Sequence, residues 1–399
     1  MRTYYVGLFT FFTVNIESAQ TDAPPSQSKV PFSPIRVYKV TLYLLNYLYE
    51  MITEFIPSML EYFWHRLSSQ RMKISNNDHR YGPNRSNKLD VYSNDRMTGS
   101  PVIIFINTGI RASSVPIAQN LHKQGYVVVV PDITLYPKGK ITEMVADVQH
   151  CIFWTSTRIR KYGGDPSQIY LMGHSTGVLI SALTVIHDVC SSLNILPINN
   201  SEVQIPIWDK GIRLPRLQGL IFFSGIYDVT YYYAYLHHLG LEQIHSMPRV
   251  MGNTPESLLQ CSPSYLLNHA LNNMRDRLDE LTNLLPKKVL LIHGAQDTIN
   301  PPVSTQNFFY LLESVGISSV QLKIYENTKY INPLKDLIIP NKKLCKLLSE
   351  DIKECCQNNN NLVIMNEYLN ERRGGGESGE ATEKTNGNER SRSRRSVRN

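Results

Sequence analysis

Gly173-His174-Ser175-Thr176-Gly177 is a Gly-X-Ser-X-Gly pentad, and the apolar run Ile169–Met172 stands directly before it. A strand entering such a pentad and a helix leaving it form a sharp turn that presents the serine hydroxyl as a nucleophile toward carbonyl carbon. The two glycines allow the turn to tighten and the strand and helix to pack closely. The usual partners are an acid and then a histidine, in that order along the chain. Asp297, in His293-Gly294-Ala295-Gln296-Asp297 after the run Val289–Ile292, is the candidate acid. Its bland reading is an aspartate that caps a loop. The base is the difficulty, because all eleven histidines lie at or before position 293.

A tetrahedral oxyanion needs N–H donors. Thr176, which follows the nucleophile, supplies one backbone amide. The second is expected from Thr108 and Gly109 in the loop Asn107-Thr108-Gly109-Ile110-Arg111, which retains a single glycine. Replacement bases are His237, His238 and His245, or Lys329 if desolvation lowered its pKa far below the usual ammonium value. The bland reading of the three histidines is a polar cap surface or structural hydrogen bonds. The His174 side chain, next to Ser175, is expected to point away from the site.

These groups have to be held at one edge of a sheet. Pro101–Ile106, Tyr126–Val130, Ile169–Met172, Leu220–Phe223, Val289–Ile292 and Val320–Tyr325 are short apolar runs suited to strands buried on both faces. Helical stretches at Ile141–Tyr162, Gly177–Ser191 and Val303–Ser314 alternate with them. The pattern is α/β: a mostly parallel sheet with helices on both faces, and with the serine turn it reads as an α/β-hydrolase fold over residues 75–356. The long insertion at about 226–286 should form a helical cap over the site.

The ends of the chain read differently. Residues 1–20 have the layout of a secretory signal peptide or signal anchor, and 21–36 that of a linker. Residues 37–73 form an apolar, membrane-proximal helical segment, with Asn46, Glu50 and Glu54 drawing one polar stripe along Val40–Leu67. Carboxylates make a simple bilayer span costly, so the expectation is a helix lying on a membrane surface, the alternative being a cap folded onto the domain. Residues 357–399 read as a disordered, low-complexity basic tail. Seven arginines and one lysine against five glutamates from Glu371 onward carry +3 of the net +7, so the charge is partly a property of the tail, and nucleic acid is not an expected partner. Six cysteines show neither zinc nor disulfide spacing, and no cofactor or metal is implied.

Tyr81-Gly82-Pro83 followed by Lys88-Leu89-Asp90-Val91-Tyr92 resembles the opening strand of arylformamidase-like and hormone-sensitive-lipase-like esterases. Ser100-Pro101-Val102-Ile103, Tyr162–Pro166 with Gln168–Gly173, His237–Leu241, Cys261-Ser262-Pro263 and His293–Pro301 resemble the isoprenylcysteine α-carbonyl methylesterases. The similarity covers roughly residues 80–355. It implies an endomembrane-associated esterase of the endoplasmic reticulum or Golgi that acts on prenylcysteine methyl esters or prenylated proteins through a Ser-Asp-His triad. Two departures matter. Thr108-Gly109 stands where the family carries two adjacent glycines. Tyr325-Glu326-Asn327-Thr328-Lys329-Tyr330 stands where it carries the catalytic histidine, which places Tyr330 or Lys329 at the base position. A phenol or ammonium is then expected to take the hydrogen bond of Asp297, with Tyr330 beside it and no histidine ring on Ser175. The alternatives are a catalytically weakened pseudo-hydrolase that binds a lipid-like ligand or protein partner, and an arylformamidase.

Overall fold

Every second residue of the central strands serves a different core. Val102, Ile104 and Ile106 join one buried cluster and Ile103 and Phe105 the other; Ile169 and Leu171 alternate likewise with Tyr170 and Met172. This period of two, apolar on both sides, gives a sheet covered on both faces. The computed structural model describes residues 34–50, 52–53, 56–57, 60, 76–93, 98–109, 111–197, 212–242, 244–338 and 342–357. The chain divides into Met1–Cys356 and Gln357–Asn399, and only Gln357 of the second unit is described. The readings of residues 1–20, most of the linker and the basic tail lie outside the described residues.

The elements in chain order are α1 (Pro34–Glu50), β1 (Asn76–Arg80), β2 (Lys88–Tyr92), β3 (Ser100–Ile106), α2 (Arg111–Lys123), β4 (Val127–Pro131), α3 (Ile141–Arg158), β5 (Gly164–His174), α4 (Thr176–Ser192) and β6 (Gly219–Phe223). There follow α5 (Val229–Leu239), α6 (Met247–Met251), α7 (Pro255–Gln260), α8 (Pro263–Asn273), α9 (Leu278–Leu284), β7 (Lys288–Gly294), α10 (Val303–Val315), β8 (Ser319–Tyr325), α11 (Asn332–Ile338) and α12 (Lys343–Cys356). The sheet order is β1-β2-β4-β3-β5-β6-β7-β8. Strand β2 runs antiparallel to β1 and β4, and every pair from β4–β3 to β7–β8 is parallel. The fold is that of an α/β-hydrolase, and it brings the ends of β3, β5, β7 and β8 to one carboxyl edge.

Strand β1, Asn76-Asn77-Asp78-His79-Arg80, carries no apolar alternation, so its sequence gave no sign of a strand. It is held as an edge strand by pairing with β2 and by the Asp78 amide donating to Asp90 Oδ1 at 3.0 Å. The insertion between β6 and β7 has two parts. Its first helices stand over the sheet edge, whereas α8 packs beside α4 and α10.

Helix α1 lies against the insertion. Val40 and Tyr43 pack on the core, and Lys39 Nζ donates to the His238 carbonyl at 3.4 Å. Its other side exposes Tyr38, Leu42, Leu45 and Tyr49, a stripe at helical spacing that continues at Ile52. Among the described residues no helix is long and apolar enough to cross a membrane.

Helix α4 can approach β3 only because residue 177 has no side chain. A Cβ there would stand 2.2 Å from the Ile106 carbonyl oxygen. Backbone cannot yield as a side-chain tip can, so Gly177→Ala should destabilise the protein by about 3 kcal/mol. Denaturant unfolding checks this; an unchanged midpoint would mean that the helix is not seated on β3 as described.

Candidate active site

Ser175 occupies the turn between β5 and α4 with φ 54° and ψ −115°. A side chain in this region costs about 1–3 kcal/mol and persists only where its surroundings impose it. Here they do. The Ser175 amide donates to the Phe223 carbonyl at 2.9 Å, and its own carbonyl accepts from Val178 and Leu179 at 3.0 and 3.2 Å. Ser175 borders a cavity. Its lining includes the apolar residues Ile117, Leu179, Ile226, Met247, Met251, Ile299 and Leu334 and the polar residues Asn107, Thr108, Ser113, His174, Thr176, His245 and Tyr330, together with Gly109. Helix α1 adds Tyr47.

Tyr330 lies in the turn from β8 to α11, and it borders the same cavity as Ser175. Burial first, and then the neighbouring Tyr47, push its pKa well above the ordinary phenol range; nearby Ser175 opposes this and loses. Asp297, Tyr232 and Tyr47 all act electrostatically on the same phenol. A neutral phenol of this kind cannot take the serine proton at pH 7.

Asp297 is buried, three residues after β7 ends at Gly294. Its Oδ1 accepts the amides of Ile299 and Asn300 at 2.9 and 2.8 Å, and Oδ2 lies 3.1 Å from His293 Nε2. The same Nε2 lies 2.8 Å from the Asn300 carbonyl, which only accepts, so Nε2 carries the proton. Nδ1 then accepts from the Thr305 hydroxyl at 2.7 Å. The acid loop is tied to the tyrosine loop by Ala295 N–H to the Tyr325 carbonyl at 2.9 Å and Gln296 N–H to that of Thr328 at 3.0 Å. A Cβ on Gly294 would stand 2.2 Å from the Thr328 oxygen, which explains the glycine.

The expectation that Tyr330 or Lys329 takes the hydrogen bond of Asp297 is therefore corrected. The turn after β7 folds Asp297 back over its own strand, and His293 takes that place at i, i+4. Three further corrections concern the alternative bases. His237 and His238 are exposed at the end of α5, with His237 Nδ1 3.5 Å from Glu242, and neither borders the cavity. His245 does border it, but its Nδ1 accepts the Met247 amide at 3.1 Å. A neutral ring then carries its proton on Nε2 and offers no lone pair there. Lys329 is half-buried and outside the cavity lining. His174, expected to point away, instead borders the cavity. Its ring packs at a tilt of 50° against Tyr330, with centroids 4.8 Å apart, and its Nε2 donates to the Tyr330 carbonyl at 3.3 Å.

The second oxyanion arm is altered too. Thr108 and Gly109 border the cavity, but the Gly109 amide donates to Asn107 Oδ1 at 3.1 Å, and Asn107 Nδ2 donates to Ser114 at 2.9 Å. Thr176 opens α4, where the first amides have no acceptor within the helix. Beyond the loop, Arg111 is gripped by Asp78, Asp90 and Asp132 at 2.6, 3.2 and 3.4 Å. The clamp spans β1, β2 and the end of β4, and its hydrogen bond from Arg111 holds the Asp78 carboxyl below the usual range.

With this geometry in hand, known proteins are informative. The BD-FAE family model matches residues 89–257. A probable isoprenylcysteine alpha-carbonyl methylesterase of Arabidopsis thaliana is 27% identical over 252 residues, 62% of this chain and about half (48%) of its own length. One of Oryza sativa subsp. japonica is 26% identical over 307 residues, 72% of this chain and 67% of that protein. The chain has the α/β-hydrolase fold and is similar to the isoprenylcysteine α-carbonyl methylesterases. The apo form of Thermogutta terrifontis esterase 2 shares the fold, with a TM-score of 0.50 at 19% identity over 71% of this chain and 96% of that one.

Burial gives this α/β-hydrolase a pH signature. It lowers His174, His187 and His245 from 6.5 to about 4. Above about 6.5 the rings are neutral whether folded or unfolded, and no stability is lost. Between about 6.5 and 4 only the unfolded chain binds the protons, so stability falls as pH falls, by about 1.4 kcal/mol per pH unit for each ring. Denaturant midpoints at pH 7 and pH 5 should show this loss, and His174→Gln should reduce its slope. A flat profile would contradict the buried, neutral rings.

Proposed function

We propose that this protein takes a lipophilic carboxylic ester into the cavity and hydrolyses it slowly through Ser175. The prenylcysteine methyl ester class is the substrate that the similarity favours. The relatives are carboxylic-ester hydrolases. The apolar residues that line the cavity suit a hydrocarbon chain, and the polar ones beside them suit a carbonyl at the serine. The exposed Tyr-Leu stripe of α1 supports a lipid surface, in the endomembrane system, as the place where such a substrate is met.

One observation carries the reading: a strained serine turn that shares its cavity with the buried Tyr330 from the β8–α11 turn, where the resemblance implies an imidazole. The turn supplies the nucleophile and the Thr176 amide. The phenol cannot supply general-base catalysis, whose loss with a triad histidine costs on the order of 10⁶ in turnover in a serine protease. A second reading, ligand binding with no chemistry, is favoured by the commitment of Asp297 to His293.

Purified protein should label with a fluorophosphonate at Ser175, turn over simple esters very slowly, and lose both properties in Ser175→Ala. Tyr330→His should raise turnover by roughly 10²-fold or more by restoring an imidazole. Absence of labelling would favour the binding reading. Ordinary esterase turnover in the wild type, abolished by Ser175→Ala, would show that another base serves the site.

A further inference from the structure

We propose that Ser175 is a single-turnover acceptor of acyl groups carried on good leaving groups, thiolates or phenolates, and that the acyl-serine persists. This rests on the reading of Ser175 as the nucleophile. It adds the class of donor and the fate of the acyl group.

The two halves of ester hydrolysis share one carbonyl and one site and differ in what attacks and what leaves. In the first, Ser175 Oγ forms a bond to the acyl carbon. The bond to the leaving sulfur or phenol oxygen breaks with its electron pair, and the serine proton ends on that group through solvent, giving thiol or phenol. In the second, a water oxygen attacks the acyl carbon, the bond to Oγ breaks, Oγ regains a proton, and the carboxylic acid departs. The weakened oxyanion arm at Gly109, whose amide is held by Asn107, slows both halves alike.

The halves diverge at the leaving group. A thiolate or phenolate departs readily from the first adduct, whereas the second must expel a serine alkoxide after water has been activated. The phenol and the imidazoles near the site do not activate that water. The Tyr330 phenol borders the cavity with Ser175 and is too weak a base, because burial pushes its pKa up. His293 directs its Nε2–H at Asp297 and Asn300, and His245 carries its proton on Nε2. His174 donates Nε2–H to the Tyr330 carbonyl, and burial makes its ring a poor base, lowered to about 4. The apolar lining residues Ile226, Met247, Met251 and Ile299 shelter a short acyl chain from solvent. An alkyl ester has a poor leaving group in both halves, so it should give no accumulating adduct.

Full-length protein incubated at pH 7 with p-nitrophenyl butyrate, with a butyryl thioester of N-acetylcysteamine, or with methyl butyrate tests this by intact mass and phenol release. The first two donors should each add one butyryl group at Ser175, with release stopping near about one equivalent per chain. The adduct should survive for hours, and methyl butyrate and Ser175→Ala should give none. Continuing release without an adduct in the wild type, lost in Ser175→Ala, would overturn the acceptor proposal and leave the hydrolase reading standing. Butyryl gained equally by Ser175→Ala would also overturn it, because another residue would be the acceptor. No adduct, no release and no fluorophosphonate labelling would remove Ser175 as a nucleophile, and both readings with it.

Discussion

The contact between Gly177 and the Ile106 carbonyl fixes the geometry on which the site depends. Helix α4 lies so close to β3 that a methyl group at residue 177 would overlap the strand backbone. Chain leaving β5 must turn within two residues to enter that helix, and Ser175 absorbs the turn at φ 54°. The backbone strain is held by hydrogen bonds to the next strand and to the helix it starts. The hydroxyl is thereby placed beside the first amide of α4, at the edge where the insertion, α1 and the β8–α11 turn converge.

At that edge the polar groups are all neutral or internally paired. Asp297 has two backbone amides and His293; His293 has Thr305 and the Asn300 carbonyl. A carboxylate buried in this way is satisfied without an imidazole from the β8–α11 turn, so replacing that imidazole with a phenol leaves no unpaired charge. The phenol of Tyr330 borders the cavity beside Ser175. The α/β-hydrolase fold is thus stable without an imidazole on that turn.

What the sequence reveals depends on whether a feature is local. The serine pentad, the central strands and the late-strand aspartate are contiguous patterns, and the fold they imply is the one observed. The place of Tyr330 at the serine cavity was legible because the blocks flanking it resemble the methylesterases. The Arg111 clamp was not, because Asp78, Asp90 and Asp132 come from separate segments and none is unusual in its own stretch. Strand β1 is polar and identifiable only through its pairing. The role of His293 was hidden because only the fold-back of residues 294–297 brings Asp297 over its own strand. For α1, composition gave an apolar segment with a polar stripe, but not that Tyr47 on its inner face borders the serine cavity while Leu42 and Leu45 remain exposed.

The central claim is that no imidazole acts as base on the Ser175 hydroxyl, although His174 and His245 border its cavity. The pH dependence of the rate at which Ser175 reacts with a fluorophosphonate tests it most directly. With no histidine acting as base, the rate should rise steadily with hydroxide from about pH 6 to 9, with no inflection in the imidazole range. A sigmoid that levels off above about pH 7, lost when a single histidine is replaced, would show an imidazole activating the serine and contradict the account.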